Sequence, residues 1–319
     1  VTDSQQHYLL IINGKSAGNP ALREAVNEQR QAGMLITVRS TWEGGDAADI
    51  AEQSNAMGIT HVIACGGDGT VSEVMNGLMR LPHDRRPVLG IVPLGSANDF
   101  ATSVGLPLEP GAALAAAREL SAYPIDVVRV TAGAGGESAT SYYINMTTGG
   151  FGAEVTSSTP KTLKRLLGGG AYSVMGALKA WRHRSYRGTL NWDEKEESES
   201  LLLLALGNGR QSGGGQVLGP RAKLDDGRLD VLLVKDFRSV TELTKLISEL
   251  QSFPYDGRFV RYFTTTQLTV TTQENDSPWP LTLDGEARYY DQFCAEVVPL
   301  ALRVLLPEEC PLLSSTSRP

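Results

Sequence analysis

The chain has 319 residues, a formal net charge of −7 and three widely spaced cysteines, Cys65, Cys294 and Cys310. An acidic chain is a poor whole-surface nucleic-acid binder, and cysteines without a CxxC pair build neither a disulfide framework nor a zinc knuckle. Glycine supplies 34 residues, about 11% against an ordinary ~7%, with no Gly-X-Y period and with 41% hydrophobic residues for a core, which excludes collagen and disorder.

The first 130 residues alternate apolar runs with helical patterns. Tyr8–Ile12 reads as a buried strand ending at Asn13-Gly14, Pro20–Gln31 as a helix closed by Gly33, and Met34–Val38 as a second strand. Asp46–Met57 reads as a helix, and His61–Cys65 as a strand running straight into Gly66-Gly67-Asp68-Gly69-Thr70. Val71–Leu81 returns to helix, Val88–Val92 to strand ending at Pro93-Leu94-Gly95, and Gly111–Leu120 to helix. This order predicts an α/β, doubly wound parallel sheet over residues 1–127, whose ligand would lie beyond the carboxyl ends of the strands.

From about residue 128 to 298 the pattern is β-rich. Ile125–Val130, Ser141–Met146, Thr189–Trp192, Leu201–Leu206, Leu229–Val234, Phe259–Phe263, Gln267–Thr272, Leu281–Leu283 and Glu296–Val298 read as strands. Gly, Asn, Asp and Pro separate many of them, which predicts a mostly antiparallel, β-sandwich-like second domain. Helical segments at Lys161–Leu167 with Ala171–Arg182 and at Ser239–Ser252 interrupt it, and Asp193–Glu197 reads as a solvated hairpin loop. The segment from about 299 to 319 is expected to return to the first domain.

No basic segment followed by an apolar run opens the sequence, and the longest aliphatic run, Leu201–Leu206, is far short of the ~20 residues that span a bilayer. A cytoplasmic, reducing compartment is the expectation. The four histidines show no HExxH spacing.

Gly66–Thr70 follows a strand and opens a helix, where backbone N–H groups and the helix dipole favour phosphate. Neither dinucleotide nor P-loop spacing is met: Ser72 replaces the last glycine of GxGxxG, and Leu9 stands where the first P-loop glycine before Gly14-Lys15-Ser16 must be.

The Gly66-Gly67-Asp68-Gly69-Thr70 run resembles the GGDGT signature of diacylglycerol, sphingosine and NAD kinases and phosphofructokinases. Pro93-Leu94-Gly95-Ser96-Ala97-Asn98-Asp99, Asp226-Gly227-Arg228-Leu229-Asp230 and Asp284-Gly285-Glu286 resemble the PxGTxND, DGxLD and DGE elements of the diacylglycerol kinase catalytic family, in the same order. Asn13–Ser16, Thr41-Trp42-Glu43, Gly207–Gln211 and Gly213–Gln216 bring the likeness closest to its bacterial lipid-kinase branch, over essentially the whole chain. Cys65 and Ser96 depart from the expected Gly and Thr.

The resemblance implies an ATP-dependent lipid kinase. ATP would lie against Asn13, Thr41, the run Gly66, Gly67, Asp68, Gly69, Thr70, Val71, Ser72 and Glu73, and Ser96. Asp68 would hold the nucleotide's Mg2+, with an Asx-type turn as its alternative. Glu73 stands three residues after Thr70, so a capping box competes with its nucleotide role. Glu286 is implied as proton acceptor with Asp284 beside it, the opposite assignment staying open. A structural cation, Mg2+ or Ca2+, would take the Asp226 side chain and the backbone oxygens of Lys223 and Arg228.

Residues 161–187 hold Lys161, Lys164, Arg165, Lys179, Arg182, Arg184 and Arg187 and no acidic residue. Interleaved with Leu and Trp, they suit a peripheral contact with an anionic bilayer and its lipid substrate, or the cover of a core, with Gly168–Gly170 as a hinge. An NAD kinase shares only the first motif. Intact Asp68, Asp284 and Glu286 argue against a non-catalytic regulator.

Overall fold

A computed structural model describes residues 6–134, 137–150, 185–237, 239–273, 276–283 and 286–314. The chain divides into two compact units, one of Val1–Val127, Leu224–Asp226 and Pro299–Pro319, the other of Val128–Lys223 and Gly227–Val298.

The first unit is α/β. Its elements are β1 (His7–Ile12), α1 (Pro20–Gln31), β2 (Leu35–Ser40), α2 (Asp46–Gln53), β3 (His61–Gly66), α3 (Asp68–Met79), β4 (Val88–Pro93), α4 (Asp99–Val104) and α5 (Pro110–Ala116). All four strands are parallel, in the order β2-β1-β3-β4. Every residue of β3 and β4 is buried, as strands covered on both faces require. Asn19 and Pro20 start α1: the Asn19 side chain accepts the Leu22 N–H, and proline sits where its missing N–H costs nothing. Leu10, Ile63, Val92, Leu22, Val26 and Leu114 lie in one core cluster.

β5 (Ser121–Ala134) carries the chain out of this unit, and β17 (Gln292–Leu306) brings it back, Val304 pairing parallel with Leu89 of β4. Between them come β6 (Glu137–Tyr143), β7 (Met146–Gly150), β8 (Tyr186–Trp192), β9 (Lys195–Gly207), the short β10 (Gln211–Ser212) and β11 (Gln216–Val217), and β12 (Leu229–Lys235). Then follow α6 (Val240–Ser252), β13 (Val260–Thr265), β14 (Gln267–Thr272), β15 (Trp279–Leu283) and β16 (Glu286–Tyr290). Pairing in the second unit is antiparallel. Alternation sorts β12: Leu229, Val231 and Leu233 join Trp279 and Phe293 in the main core, whereas Leu232 and Val234 join Leu246 of α6, Phe259 and Tyr262 in a second one.

Four expectations shift. The strand predicted at Ser141–Met146 is two strands, broken where the Asn145 carbonyl accepts the N–H groups of Asn208 and Gly209. Of the Asp193–Glu197 run only Asp193 and Glu194 are turn. Both have positive φ, 43° and 63°, the form a two-residue hairpin demands, and Lys195 already pairs with Trp192. Helix α3 begins at Asp68 instead of Val71. The strand at Glu296–Val298 is part of the fifteen-residue β17.

Candidate functional site

The strand order reverses between β1 and β3, and the crevice beyond the carboxyl ends at such a point is where open α/β sheets hold ligands. Asn13 follows β1 there. Its Oδ1 accepts the Lys15 N–H at 3.1 Å and its Nδ2 donates to Thr70 Oγ1 at 3.2 Å. Thr41, just past β2, accepts the Gly14 N–H on Oγ1 at 3.1 Å. Three residues singled out in the sequence, from three separate strand ends, are therefore joined in one chain of contacts.

The glycines of this edge fall into two kinds. A Cβ on Gly66 would lie 2.3 Å from Thr70 Oγ1, and one on Gly95 would lie 2.5 Å from Gly67 Cα and 2.8 Å from Asn98 Oδ1. Gly66 leaves room for the Thr70 side chain, whereas Gly67 and Gly95 let the turn after β3 and the turn after β4 pack backbone against backbone, and Leu94 N–H bonds the Gly66 carbonyl at 2.8 Å. Gly69 is different. It sits exposed in the first turn of α3, and a Cβ there would meet nothing within 4 Å.

The helix starts of this unit are treated unequally. At α1 the Asn19 side chain takes the Leu22 N–H, and at α5 the Glu109 carboxylate takes those of Gly111 and Ala112. At α4 the Asp68 carboxylate does this from another helix, Oδ2 accepting the Asp99 N–H at 3.1 Å and Oδ1 the Phe100 N–H at 3.2 Å. At α2 the Glu73 carboxylate accepts the Gly45 N–H at 3.1 Å, and Asp46 reaches back to the N–H groups of Trp42 and Glu43 at 2.6 and 2.9 Å. Those amides, Glu43's foremost, hold the Asp46 carboxyl below its ordinary pKa. The start of α3 is the barest: Gly67 has no side chain to offer, and the N–H groups of Asp68, Gly69 and Thr70 find no acceptor among the described residues, one more than at α2, where those of Asp46 and Ala47 find none.

One alternative falls here: Glu73 closes no capping box on its own helix, and its carboxylate bonds Gly45 before α2. Asp68 also ties the start of α4 to the start of α3, each oxygen accepting one amide. Val71 is buried at 5% exposure and its N–H bonds Gly67 O, which leaves neither group for a ligand. The Ser72 carbonyl accepts the Asn76 amide, and Ser96 is exposed on the turn after β4. Cys65 is fully buried, and desolvation pushes its thiol well up, so it is core and not a nucleophile. Asn98 adopts the left-handed conformation (φ 52°, ψ 45°) before α4, and its amide bonds the Gly95 N–H and carbonyl at 2.9 and 3.0 Å, so it shapes the turn after β4. The Ala-Asn-Asp sequence carried that signal, since Asn tolerates αL and Asp favours a helix start.

In the second unit Glu286 opens β16 opposite Leu283. Asp284 lies outside the described residues, as do 161–184 and with them the Gly168–Gly170 hinge and all but Arg187 of the basic stretch. Arg187 lies exposed in β8. Of the cation-site residues, Asp226 is in the first unit, whereas Lys223 and Arg228 are in the second. The neighbouring Asp225 is the carboxylate that ties down the C-terminal segment, accepting the Ser314 N–H at 2.9 Å and its Oγ at 2.8 Å. No cluster of three His, Cys, Asp or Glu side chains suited to a metal occurs among the described residues.

Residues 7–130 match the family model described as diacylglycerol kinase catalytic domain, and residues 145–306 the one described as YegS C-terminal NAD kinase beta sandwich-like domain. A Chromohalobacter salexigens protein named "Probable lipid kinase YegS-like" is 50% identical over 96% of this chain and 94% of its own. The chain belongs to the YegS-like lipid kinase family, within the diacylglycerol kinase catalytic group. As a member it is a kinase. A Yersinia pestis relative of the same name (strain Pestoides F) is 40% identical over 96% of this chain and 99% of its own. The fold is shared with a crystal structure described as "a putative diacylglycerol kinase from Bacillus anthracis str. Sterne", at TM-score 0.75 and 24% identity over 96% of both chains.

Proposed function

We propose that this kinase transfers the γ-phosphoryl group of ATP to a hydroxyl of a membrane lipid. The observation that carries the nucleotide half is the bare start of α3 at the β1/β3 crevice, beside an exposed Gly69 that no protein atom requires to be glycine. Three unpaired N–H groups at a helix start are a ready cradle for phosphate. Asn13, Thr41, Thr70 and Ser96 stand around it as polar contacts.

The donor chemistry fits a nucleotide-borne Mg2+ at Asp68: each oxygen accepts one amide and keeps a lone pair, and Mg2+ commonly takes one or two carboxylates plus phosphates. Such an ion would neutralise charge on the transferring group. Glu286 takes the acceptor's proton, Asp284 stands next to it, and Asp226 with the backbone oxygens of Lys223 and Arg228 holds a structural cation. Support for these assignments is the family pattern of the DGE and DGxLD elements. The basic residues from Lys161 to Arg187 bring the enzyme to an anionic bilayer. No helix among the described residues is long and apolar enough to cross one.

The test is transfer from [γ-32P]ATP with Mg2+ to mixed lipid vesicles, with NAD in a parallel tube. Label is expected in the lipid fraction, and Glu286→Gln should lower the rate roughly 100- to 10,000-fold. Label on NAD, or none on any lipid in the face of tight ATP binding, refutes the proposal.

A further inference from the structure

Trp42 is 97% exposed, far more than the other large hydrophobic side chains on the described surface. Fully exposing an indole leaves a large apolar face in water, so a rigidly held one asks for an occupant. The backbone beneath it is held. Its own N–H and that of Glu43 bond Asp46 Oδ2, Gly45 is fixed by Glu73, and the preceding Thr41 is fixed to Gly14.

Its place in the fold is specific. Trp42 follows β2, β1 separates β2 from β3, and α3 follows β3. Two strand spacings, ~10 Å, therefore lie between the indole's strand and the strand that feeds the open helix start. The contacts Thr41–Gly14 and Asn13–Thr70 bridge that gap.

The charges nearby select the occupant. The amides of Trp42, Glu43 and Gly45, just before α2, already carry the Asp46 and Glu73 carboxylates, and Glu43 is exposed beside the indole. With Lys15 and Arg39 exposed nearby as well, the charges of this corner are mixed, which gives neither a phosphate nor an anionic bilayer a cluster of cations but accepts a neutral aromatic ring. We infer that Trp42 stacks on the purine base of the nucleotide whose phosphates occupy the start of α3, an inference that rests on the nucleotide reading above.

The probe pair is a non-hydrolysable ATP analogue and inorganic tripolyphosphate, which has no base. Both should bind the parent protein, and only the analogue should quench indole fluorescence. Trp42→Ala should weaken the analogue roughly 5- to 150-fold and leave tripolyphosphate affinity unchanged. Trp42→Phe should restore much of the loss. Full affinity of Trp42→Ala for the analogue overturns the stacking and leaves the phosphate site standing. So does a loss confined to sedimentation with anionic vesicles, which would make the indole a membrane contact. Failure of the parent protein to bind either probe overturns both readings.

Discussion

Gly69→Ala should make the empty protein more stable and the nucleotide-bound protein less so. Gly69 lies in ordinary helical conformation, and a Cβ there has nothing within 4 Å to meet. Replacing such a glycine removes freedom from the unfolded chain and gains about 0.4–1 kcal/mol. In the first turn the low end applies, about 0.5 kcal/mol, or roughly 1–2 °C for a unit of this size. The same methyl would stand in the first turn whose three free N–H groups are proposed to hold phosphate. Suppose it weakens binding tenfold. At an ATP-analogue concentration of 100 Kd the parent gains about 2.7 kcal/mol from ligand, whereas the variant gains about 1.4 kcal/mol. The deficit of ~1.3 kcal/mol outweighs the gain in propensity, so the order of melting temperatures inverts when ligand is added. Thermal melts with and without the analogue read this directly. A lower melting temperature for the empty variant would make Gly69 a packing residue, and an undiminished ligand shift would remove phosphate from this helix start.

Gly66→Ala and Gly95→Ala should behave oppositely, losing about 1–3 kcal/mol with or without ligand, because each Cβ would lie within 2.5 Å of a neighbouring atom; a denaturant series checks both. Asp68→Ala, which strips the amides of Asp99 and Phe100 of their acceptor, should lower stability by about 1–2 kcal/mol with no Mg2+ present, and Asp68→Asn by less, as the urea midpoint will show. In the second unit the buried Glu249 carboxylate accepts the N–H groups of Arg258, Phe259 and Val260 at 3.2, 2.8 and 2.9 Å; Glu249→Ala should cost about 2–3 kcal/mol in the same measurement. Asp46 has a folded pKa below its unfolded one, so its contribution is present above the unfolded value and lost as pH falls through the folded one. The thermal midpoints of Asp46→Asn and the parent should therefore converge below about pH 4.

The parallel strands were legible because each is a short apolar run closed by glycine or proline, and His61–Gly66 is buried from end to end. Helix α4 was not. Six residues give no periodicity, and its start depends on a left-handed Asn98 and on a carboxylate thirty-one positions away. Glu73 misled for a related reason: Thr70 and Glu73 have the spacing of a capping box, but tertiary packing offered the carboxylate Gly45 instead. The hairpin at Asp193–Glu197 was legible, but its two-residue turn was not, because positive φ at Asp193 and Glu194 is borne without glycine. Among the site residues, Asn13, Thr41 and Thr70 could be named from motifs, whereas their mutual bonds follow only from the β2-β1-β3 strand order.

On the nucleotide reading, an acidic protein holds a polyphosphate against its own net charge, and the allocation of carboxylates bears on how. Asp68 and Glu109 each sit on first-turn amides of a helix, and Asp46 and Glu73 on the amides just before α2. There the helix dipole and the N–H groups offset their charge. They also occupy the anion sites that their helices would otherwise offer. Among the described helices of the first unit, α3 keeps the longest run of free first-turn amides, Asp68, Gly69 and Thr70, against Asp46 and Ala47 at α2. On the nucleotide reading, the protein's own anions would weaken the competing positions and so favour α3. Recruiting Lys and Arg to one point is not needed. Removing a filling carboxylate should accordingly open a second, weaker anion site, and Glu73→Ala with Asp46→Ala is the variant in which tripolyphosphate should bind with a stoichiometry above that of the parent.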